Sequence, residues 1–331
     1  MRFSYYLPIL PSLAWFGRGD IRGNCGFACG LSTAKGNFFQ LGKHFYDGAM
    51  QAQVSPIVEP RPFLKWAGGK SQLIPQYTPF FPKKYGAYFE PFLGGGAIFF
   101  HLRPTPATLI DINPELVNVY RCVRDAVEPL IELLQTHRDR HCQDYYYQMR
   151  AWAPDSSLER AARLIYLNKT CFNGLYRENS KGRFNVPMGR YKNPGIFDAE
   201  VLLAAAAALR GVTIQLASFE AVLDLAHSQQ DFVYFDPPYH PLSATSNFTA
   251  YSRYSFKPTD QVRLRDTFAE LARRGVQVML SNSDCEFIRE LYQDFHIHTL
   301  LAARSINSNA QRRGKITELL ITSYGPSSVK P

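Results

Sequence analysis

Short apolar runs recur along this chain at intervals that suit a buried sheet. Phe232-Val233-Tyr234-Phe235 is uninterrupted and predicts a strand buried on both faces. Ala87-Tyr88-Phe89, Ala107 to Ile110, Val212 to Leu216, Val276 to Leu280 and Ile316 to Thr322 predict further strands. Helical spacing fills the gaps: Ala199 to Leu209, Phe219 to Ala226, Thr259 to Arg274, closed by Gly275, and Asp284 to Tyr292. Strands alternating with helices predict a doubly wound α/β sheet. One stretch breaks the alternation. From Asn113 to about Gly195 the strand pattern fades, Val117 to Leu134 and Glu159 to Leu167 read as helices, and a polar, basic, glycine-bearing section follows from Asn168 to Lys192. The pattern predicts an inserted, mostly helical domain over 114–195, ending in a loop or hairpin. It divides a larger α/β domain into 57–113 and 196–325.

Chemistry gathers at the predicted strand ends. Asp236-Pro237-Pro238-Tyr239 leaves the run Phe232 to Phe235 directly. Ligands of open α/β sheets sit at such exits. Two prolines stiffen the backbone, remove two N–H donors and leave carbonyls free to accept. A carboxylate, a rigid carbonyl and a flat ring suit a planar amine held face-on. Adenine is such a group, and its exocyclic nitrogen is a weak nucleophile because the lone pair is delocalised. Accepting its two hydrogens at Asp236 and at the Pro237 carbonyl would localise that pair, while Tyr239 stacks on the base. In a duplex the base must first be turned out of the stack. The competing reading is a strand followed by an inert proline turn.

Glu90-Pro91-Phe92-Leu93-Gly94-Gly95-Gly96 lies between a predicted strand and a helix, where glycines let the backbone approach a ligand closely. Asp111 ends the next strand, a place from which acids bind ribose hydroxyls. A dinucleotide or S-adenosylmethionine would fit both features, although the spacing is not G-x-G-x-x-G. Phe63-Leu64-Lys65-Trp66-Ala67-Gly68-Gly69-Lys70 could hold a carboxylate and cover an adenine or a sulfonium; it lacks the spacing of a phosphate-binding P-loop.

Composition narrows the class. The 331 residues are 46% hydrophobic, enough for one large or two modest domains, and the net charge of +9 suits a polyanionic partner. Six cysteines, scattered beyond Cys25 and Cys29, argue against a disulfide framework and against zinc, and no metal site is expected. No run is long and apolar enough to span a bilayer. Residues 1–55 read as a poorly ordered extension: Tyr5 to Phe16 is apolar but broken by Pro8 and Pro11, and Met50 is a plausible alternative start.

Taken together, the segments Phe63 to Lys70, Glu90 to Gly96, Asp111-Ile112-Asn113 and Asp236 to Tyr239 resemble the Dam-type DNA adenine-N6 methyltransferases, over about Arg61 to Tyr324. The motifs come in the α-group order: cofactor motifs, recognition domain, catalytic tetrapeptide. The resemblance implies S-adenosylmethionine as methyl donor, double-stranded DNA as partner and GATC as target. It makes 57–113 and 196–325 the catalytic domain and 114–195 the recognition domain. Asp236, Pro237, Pro238 and Tyr239 then correspond to the catalytic loop. Trp66, Lys70, Asp111 and Asp236 correspond to cofactor-binding positions, with Glu90, Phe92, Gly94, Gly95 and Gly96 lining the same pocket and Phe219 covering the cofactor adenine. Asn168 to Arg177 resembles the recognition hairpin. Phe172 stands where the family often has an intercalating tyrosine, with Asn173 beside it. Leu175, Arg177 and Pro187 match base-contacting positions, Lys65 a lysine that reads the first guanine, and Arg190 a phosphate contact. His240 to Phe256 reads as a loop that orders over the flipped base, and Arg304 to Asn309 with Arg312-Arg313 as further backbone contacts. The expected agent is a monomer of the cytoplasm that meets the nucleoid through DNA. Three rivals stay open: a catalytically silent DNA-binding protein, a nicotinamide dehydrogenase, and the same chemistry on another sequence or amino nitrogen. The sequence is silent on whether a restriction nuclease accompanies it.

Overall fold

The computed structural model of the chain describes residues 58–242, 256–303 and 315–325. Its centre is a seven-stranded sheet of β1 (Tyr88–Glu90), β2 (Ala107–Asp111), β3 (Thr213–Leu216), β4 (Phe232–Phe235), β5 (Gln277–Ser283), β6 (His296–Ala303) and β7 (Lys315–Thr322). The spatial order is β3-β2-β1-β4-β5-β7-β6. Strands β3 to β5 are joined in parallel, while β7 runs antiparallel to both β5 and β6. The order runs outward from β1 through β2 to β3, then restarts on the other side with β4. The switch point is therefore the gap between β1 and β4, which are paired with Tyr88 opposite Phe232 and Phe89 opposite Val233. The two segments that carried the sequence argument, the glycine turn after β1 and the tetrapeptide after β4, leave the sheet from neighbouring strands at that point.

Successive strand residues face opposite sides, and both sides are covered. Tyr88, Leu109, Phe232 and Tyr234 join one core; Phe89, Val233, Phe235 and Leu280 join the other. The first core is closed by helices α1 (Ile74–Tyr77), α2 (Ala97–Leu102), α3 (Pro114–Asp125), α4 (Val127–Asp139), α6 (Ser157–Thr170) and α7 (Ala199–Leu209). The second is closed by α8 (Pro258–Arg273), α9 (Glu286–Leu291) and a 3-10 turn over Phe219–Asp224. A third, smaller core gathers Tyr146 of α5 (Gln143–Ala151), Tyr166 and Leu167 of α6, and Phe184, Val186 and Ile196 beyond it. Helix starts have local causes. The Asn113 side chain accepts from Glu115 N and Leu116 N ahead of Pro114, and Asp198 accepts from Val201 N. Asp260 reaches back to Lys257 N at 2.7 Å to start α8, one residue earlier than expected, and Gly275 ends it with φ 83°.

The expected strands are present with ends shifted by a residue or two, except β5, which runs on to Ser283. Four departures stand out. Strand β6 was not expected: it lies at the sheet edge, paired only with β7, and its His-Ile-His-Thr alternation is too weakly amphipathic to stand out. The run expected as one helix over Val117 to Leu134 breaks at Ala126, whose φ of −150° separates α3 from α4. Helix α5 is built on a tyrosine-rich polar run without the usual aliphatic stripe. The segment expected as a helix over Phe219 to Ala226 is a 3-10 turn ending at Asp224.

Phe268 of α8 is fully buried and meets Phe295 edge-on at 4.7 Å. Phe268→Ala is expected to lower unfolding free energy by about 3–5 kcal/mol with an unchanged m-value, measured by urea titration.

Candidate active site

Asp236 is the first residue beyond β4. Its Oδ1 lies 2.7 Å from Lys70 Nζ and accepts from Ser281 Oγ at 2.9 Å; among the described residues no hydrogen bond reaches Oδ2. Lys70 is buried and also donates to the Gly68 carbonyl at 2.6 Å. Its ammonium stands 4.7 Å from the Tyr239 ring centroid, a cation–π contact. The Tyr239 hydroxyl donates to Glu318 of β7, which also accepts from Tyr77 at 3.0 Å. Burial pushes the Glu318 carboxyl up, opposed by Lys70, and pushes the Tyr239 phenol well up.

The two prolines differ in how their carbonyls are used. Both were expected to be free. The Pro238 oxygen is taken by Gln261 Nε2 at 3.0 Å, while no described residue donates to the Pro237 oxygen. Among the described residues, two acceptors on adjacent residues, Asp236 Oδ2 and Pro237 O, are thus left without donors at the switch point.

Glu90 ends β1 beside this loop, buried, with Tyr88 donating to Oε2 at 2.8 Å. Burial, reinforced by the negative charge of Asp236, lifts its carboxyl from 4.5 to about 8. Gly94, at φ 51°, holds the following turn against Trp66: a Cβ there would meet Trp66 Cδ1 at 3.1 Å. Gly96, at φ 66°, leaves no room for a Cβ beside the Tyr120 hydroxyl, while a Cβ on Gly95 would meet Trp66 Cβ at 3.5 Å, an ordinary contact. Asp111 ends β2 with both oxygens tied to backbone, Oδ2 to Gly94 N at 3.2 Å and Oδ1 to Asn113 N at 2.9 Å. Burial lifts it to about 6 although these amides hold it down. Phe92 and Phe219 stack at 5.4 Å, with Phe256 edge-on to both. These residues fit a nucleoside-bearing cofactor. A strand-end carboxylate with spare lone pairs faces hydroxyls, a glycine turn admits close approach, and aromatic rings offer faces to a base.

The helical segment meets the same crevice. Asn168, buried at the end of α6, accepts from Lys65 N at 2.8 Å and donates to Lys65 O at 2.7 Å and Gly174 O at 3.1 Å. The Lys65 stem lies over Gly174 closely enough that a Cβ would meet it at 2.6 Å, and its ammonium stands 4.3 Å over the Tyr191 ring. Trp66 stacks on Tyr176 at 5.5 Å. Lys65, Phe172, Leu175 and Tyr191 are exposed together around this clamp, with Phe172 47% exposed. Asn173 takes a left-handed φ of 55°, which turns the chain there. Phe172 N donates to Pro187 O at 2.9 Å, and the Arg177 carbonyl accepts from Asn185 N, so the two arms form an irregular hairpin. Pro187 and Arg190 are exposed. Arg177 is exposed too, yet its Nε and Nη2 bind Asn185 at 2.7 and 3.3 Å. The segments 243–255, 304–314 and 1–57, to which a covering loop, backbone contacts and a tail were assigned, lie outside the described residues.

Residues 66–306 match the model of the D12 class N6 adenine-specific DNA methyltransferases. The chain belongs to this family. It is 48% identical over 272 residues to Type II methyltransferase M1.LlaDCHI of Lactococcus lactis subsp. cremoris, covering 80% of this chain and 96% of that relative. It is 42% identical over 290 residues to Type II methyltransferase M.MjaIII of Methanocaldococcus jannaschii, covering 81% and 100%. It is 39% identical over 282 residues to the DNA adenine methylase of Escherichia coli (strain K12), covering 82% and 98%. The chain is an adenine-specific DNA methyltransferase that uses S-adenosylmethionine and acts on DNA. Membership in the family excludes the nicotinamide dehydrogenase reading.

The methyltransferase has site residues that its sequence did not reveal. Gln261, Ser281, Asn282, Ser283 and Glu318 are buried polar groups around the tetrapeptide. The run Ser281-Asn282-Ser283 carried a signal, three polar residues closing an apolar strand, but such runs read as loop. Asn168 was visible only as the start of the hairpin.

Glu90 is protonated in the fold over a range where the unfolded chain has lost its proton. Stability therefore declines as pH rises from 4.5 to about 8 and is flat beyond. Glu90→Gln is expected to remove that decline, so its advantage over the wild type grows across this window in urea titrations at stepped pH.

Proposed function

We propose that the methyltransferase modifies the N6 amine of adenine within duplex GATC, after turning the base out of the helix into the crevice at Asp236. The observation that carries this reading is a pair of acceptors, Asp236 Oδ2 and Pro237 O, to which no described residue donates, set on one proline turn. An exocyclic amine has two hydrogens to give. When both are accepted, nitrogen is drawn toward a pyramidal form with a directed lone pair. Bound S-adenosylmethionine supplies an electrophilic methyl group. Asp236 and Pro237 hold the nitrogen for in-line attack. Methylation makes the nitrogen acidic, so its proton leaves without a strong base. Tyr239, tied through its hydroxyl to Glu318, offers its ring as a stacking surface.

In this reading Asp111, Trp66, Lys70, Glu90, Phe92, Phe219 and the glycine turn hold the cofactor. Lys65, Phe172, Asn173, Leu175, Arg177 and Pro187 face the bases, and Arg190 a phosphate. The 114–195 segment serves as recognition domain. Phe172 and Leu175 supply exposed apolar wedges, and Lys65, its backbone held by Asn168, a cation over the Tyr191 ring. Arg177 would exchange its contact with Asn185 for a guanine edge. GATC rests on the resemblance to the Dam-type enzymes. Because relatives of two kinds of name match, the same chemistry on a different sequence is the second reading. A catalytically silent binder would show no methyl incorporation at all.

Methyl incorporation should appear in duplexes containing GATC and be absent from matched duplexes lacking it; equal incorporation into both contradicts the target. Asp236→Ala should abolish transfer while DNA affinity, read by anisotropy, stays near the wild-type value. Arg177→Ala should relax discrimination at one base pair by about 1–3 kcal/mol, measured as kcat/KM on singly substituted sites.

A further inference from the structure

Gln261, Asn282 and Ser283 form a connected set of buried polar side chains that ends on the backbone of the tetrapeptide turn. The direction of each hydrogen bond follows from groups that can act in one way only. His240 N and Ser283 N are backbone donors, and both point at Asn282 Oδ1, at 3.2 and 2.8 Å. That sets the amide so that Asn282 Nδ2 faces Gln261, which must present Oε1 to it at 3.0 Å. Gln261 Nε2 is then left to donate, and its partner is the Pro238 carbonyl. Ser283 Oγ closes the circuit on the His240 carbonyl at 2.8 Å. The network grips the backbone on both sides of Tyr239 and takes the Pro238 oxygen out of use. Pro237 O stays available one residue away.

We infer that Gln261 is a positioning residue for methyl transfer. By holding the Pro238 carbonyl, and with Asn282 the His240 amide, it anchors the peptide units that follow directly on the Pro237 carbonyl and so steadies the Pro237 oxygen toward the substrate amine. Its own side chain touches neither substrate nor cofactor. The inference rests on Asp236 to Tyr239 being the catalytic turn. A proline turn has lost the amides that usually lock a backbone, so an external donor does that work. Loss of the donor frees ψ of Pro238, the one soft backbone torsion left at that residue, and loosens the turn next to the Pro237 carbonyl. A displacement of about 1 Å at a reacting group can cost on the order of 100-fold in rate.

The test is the single-turnover rate of methyl transfer at saturating S-adenosylmethionine and duplex, with thermal melting and both binding constants measured alongside. Gln261→Glu retains an acceptor for Asn282 but loses the amide donor to Pro238; Gln261→Met loses both at similar volume. Both variants should transfer at least about 10-fold more slowly per folded molecule, with donor and DNA binding within about 3-fold of wild type. The inference is overturned if the rate per folded molecule is unchanged in Gln261→Met and Gln261→Glu. It is equally overturned if the loss is recovered by raising donor or DNA concentration. Asp236→Ala, run in parallel, separates the two levels: transfer surviving in that variant overturns the catalytic turn itself, whatever Gln261 does.

Discussion

The contact between Lys70 and Asp236 sits where the two halves of the sheet part, and the rest of the site is arranged around it. One ammonium faces the Asp236 carboxylate at 2.7 Å, with the buried carboxyls of Glu90 and Glu318 in the same neighbourhood. Acid outnumbers base in a dry crevice, and the fold answers with burial, which keeps Glu90 neutral across much of the ordinary pH range, and with phenols that donate to Glu90 and Glu318. Lys70 also binds the Gly68 carbonyl and faces the Tyr239 ring, so a single side chain ties the Gly68 loop, Asp236 and the adjacent aromatic into one unit.

That unit depends on strand order more than on local sequence. Because β1 and β4 are neighbours, the glycine turn and the proline turn emerge together although their sequences are far apart. Two cores pin the two strands from opposite faces through alternating residues, Phe232 and Tyr234 against Val233 and Phe235. The helical segment reaches the crevice through Asn168, whose amide holds the backbone of Lys65 and Gly174 at once. The path between this exposed hairpin and the crevice is short: Lys65 and Trp66 are successive residues, one on the hairpin clamp and one against the glycine turn.

Much of this was legible in the residues. Apolar runs marked six of the strands, most plainly β4, a parallel strand buried on both faces and apolar throughout. The tetrapeptide, the glycine turn and Asp111 stood out because each breaks such a run with a chemically loaded residue. What stayed hidden was long-range. The edge strand β6 has no strong alternation, and the Ser281-Asn282-Ser283 end of β5 is polar yet buried because it serves the turn beside it. Gln261 lies on a helix whose exposed charges dominate its pattern, and Glu318 is one acid in an apolar strand; their partners are distant in sequence. That Arg177 is held by Asn185, and that among the described residues a donor reaches the Pro238 carbonyl but not that of Pro237, are facts of folded geometry alone.

The claim beneath all of it is that one carboxylate oxygen and one proline carbonyl grip an exocyclic amine. A crystal structure of the methyltransferase with a non-reactive donor analogue and a target duplex measures this directly. The account predicts an adenine turned out of the helix with N6 about 3 Å from both Asp236 Oδ2 and Pro237 O. An adenine still stacked in the duplex, or an amine held by other groups and remote from Asp236, would contradict it.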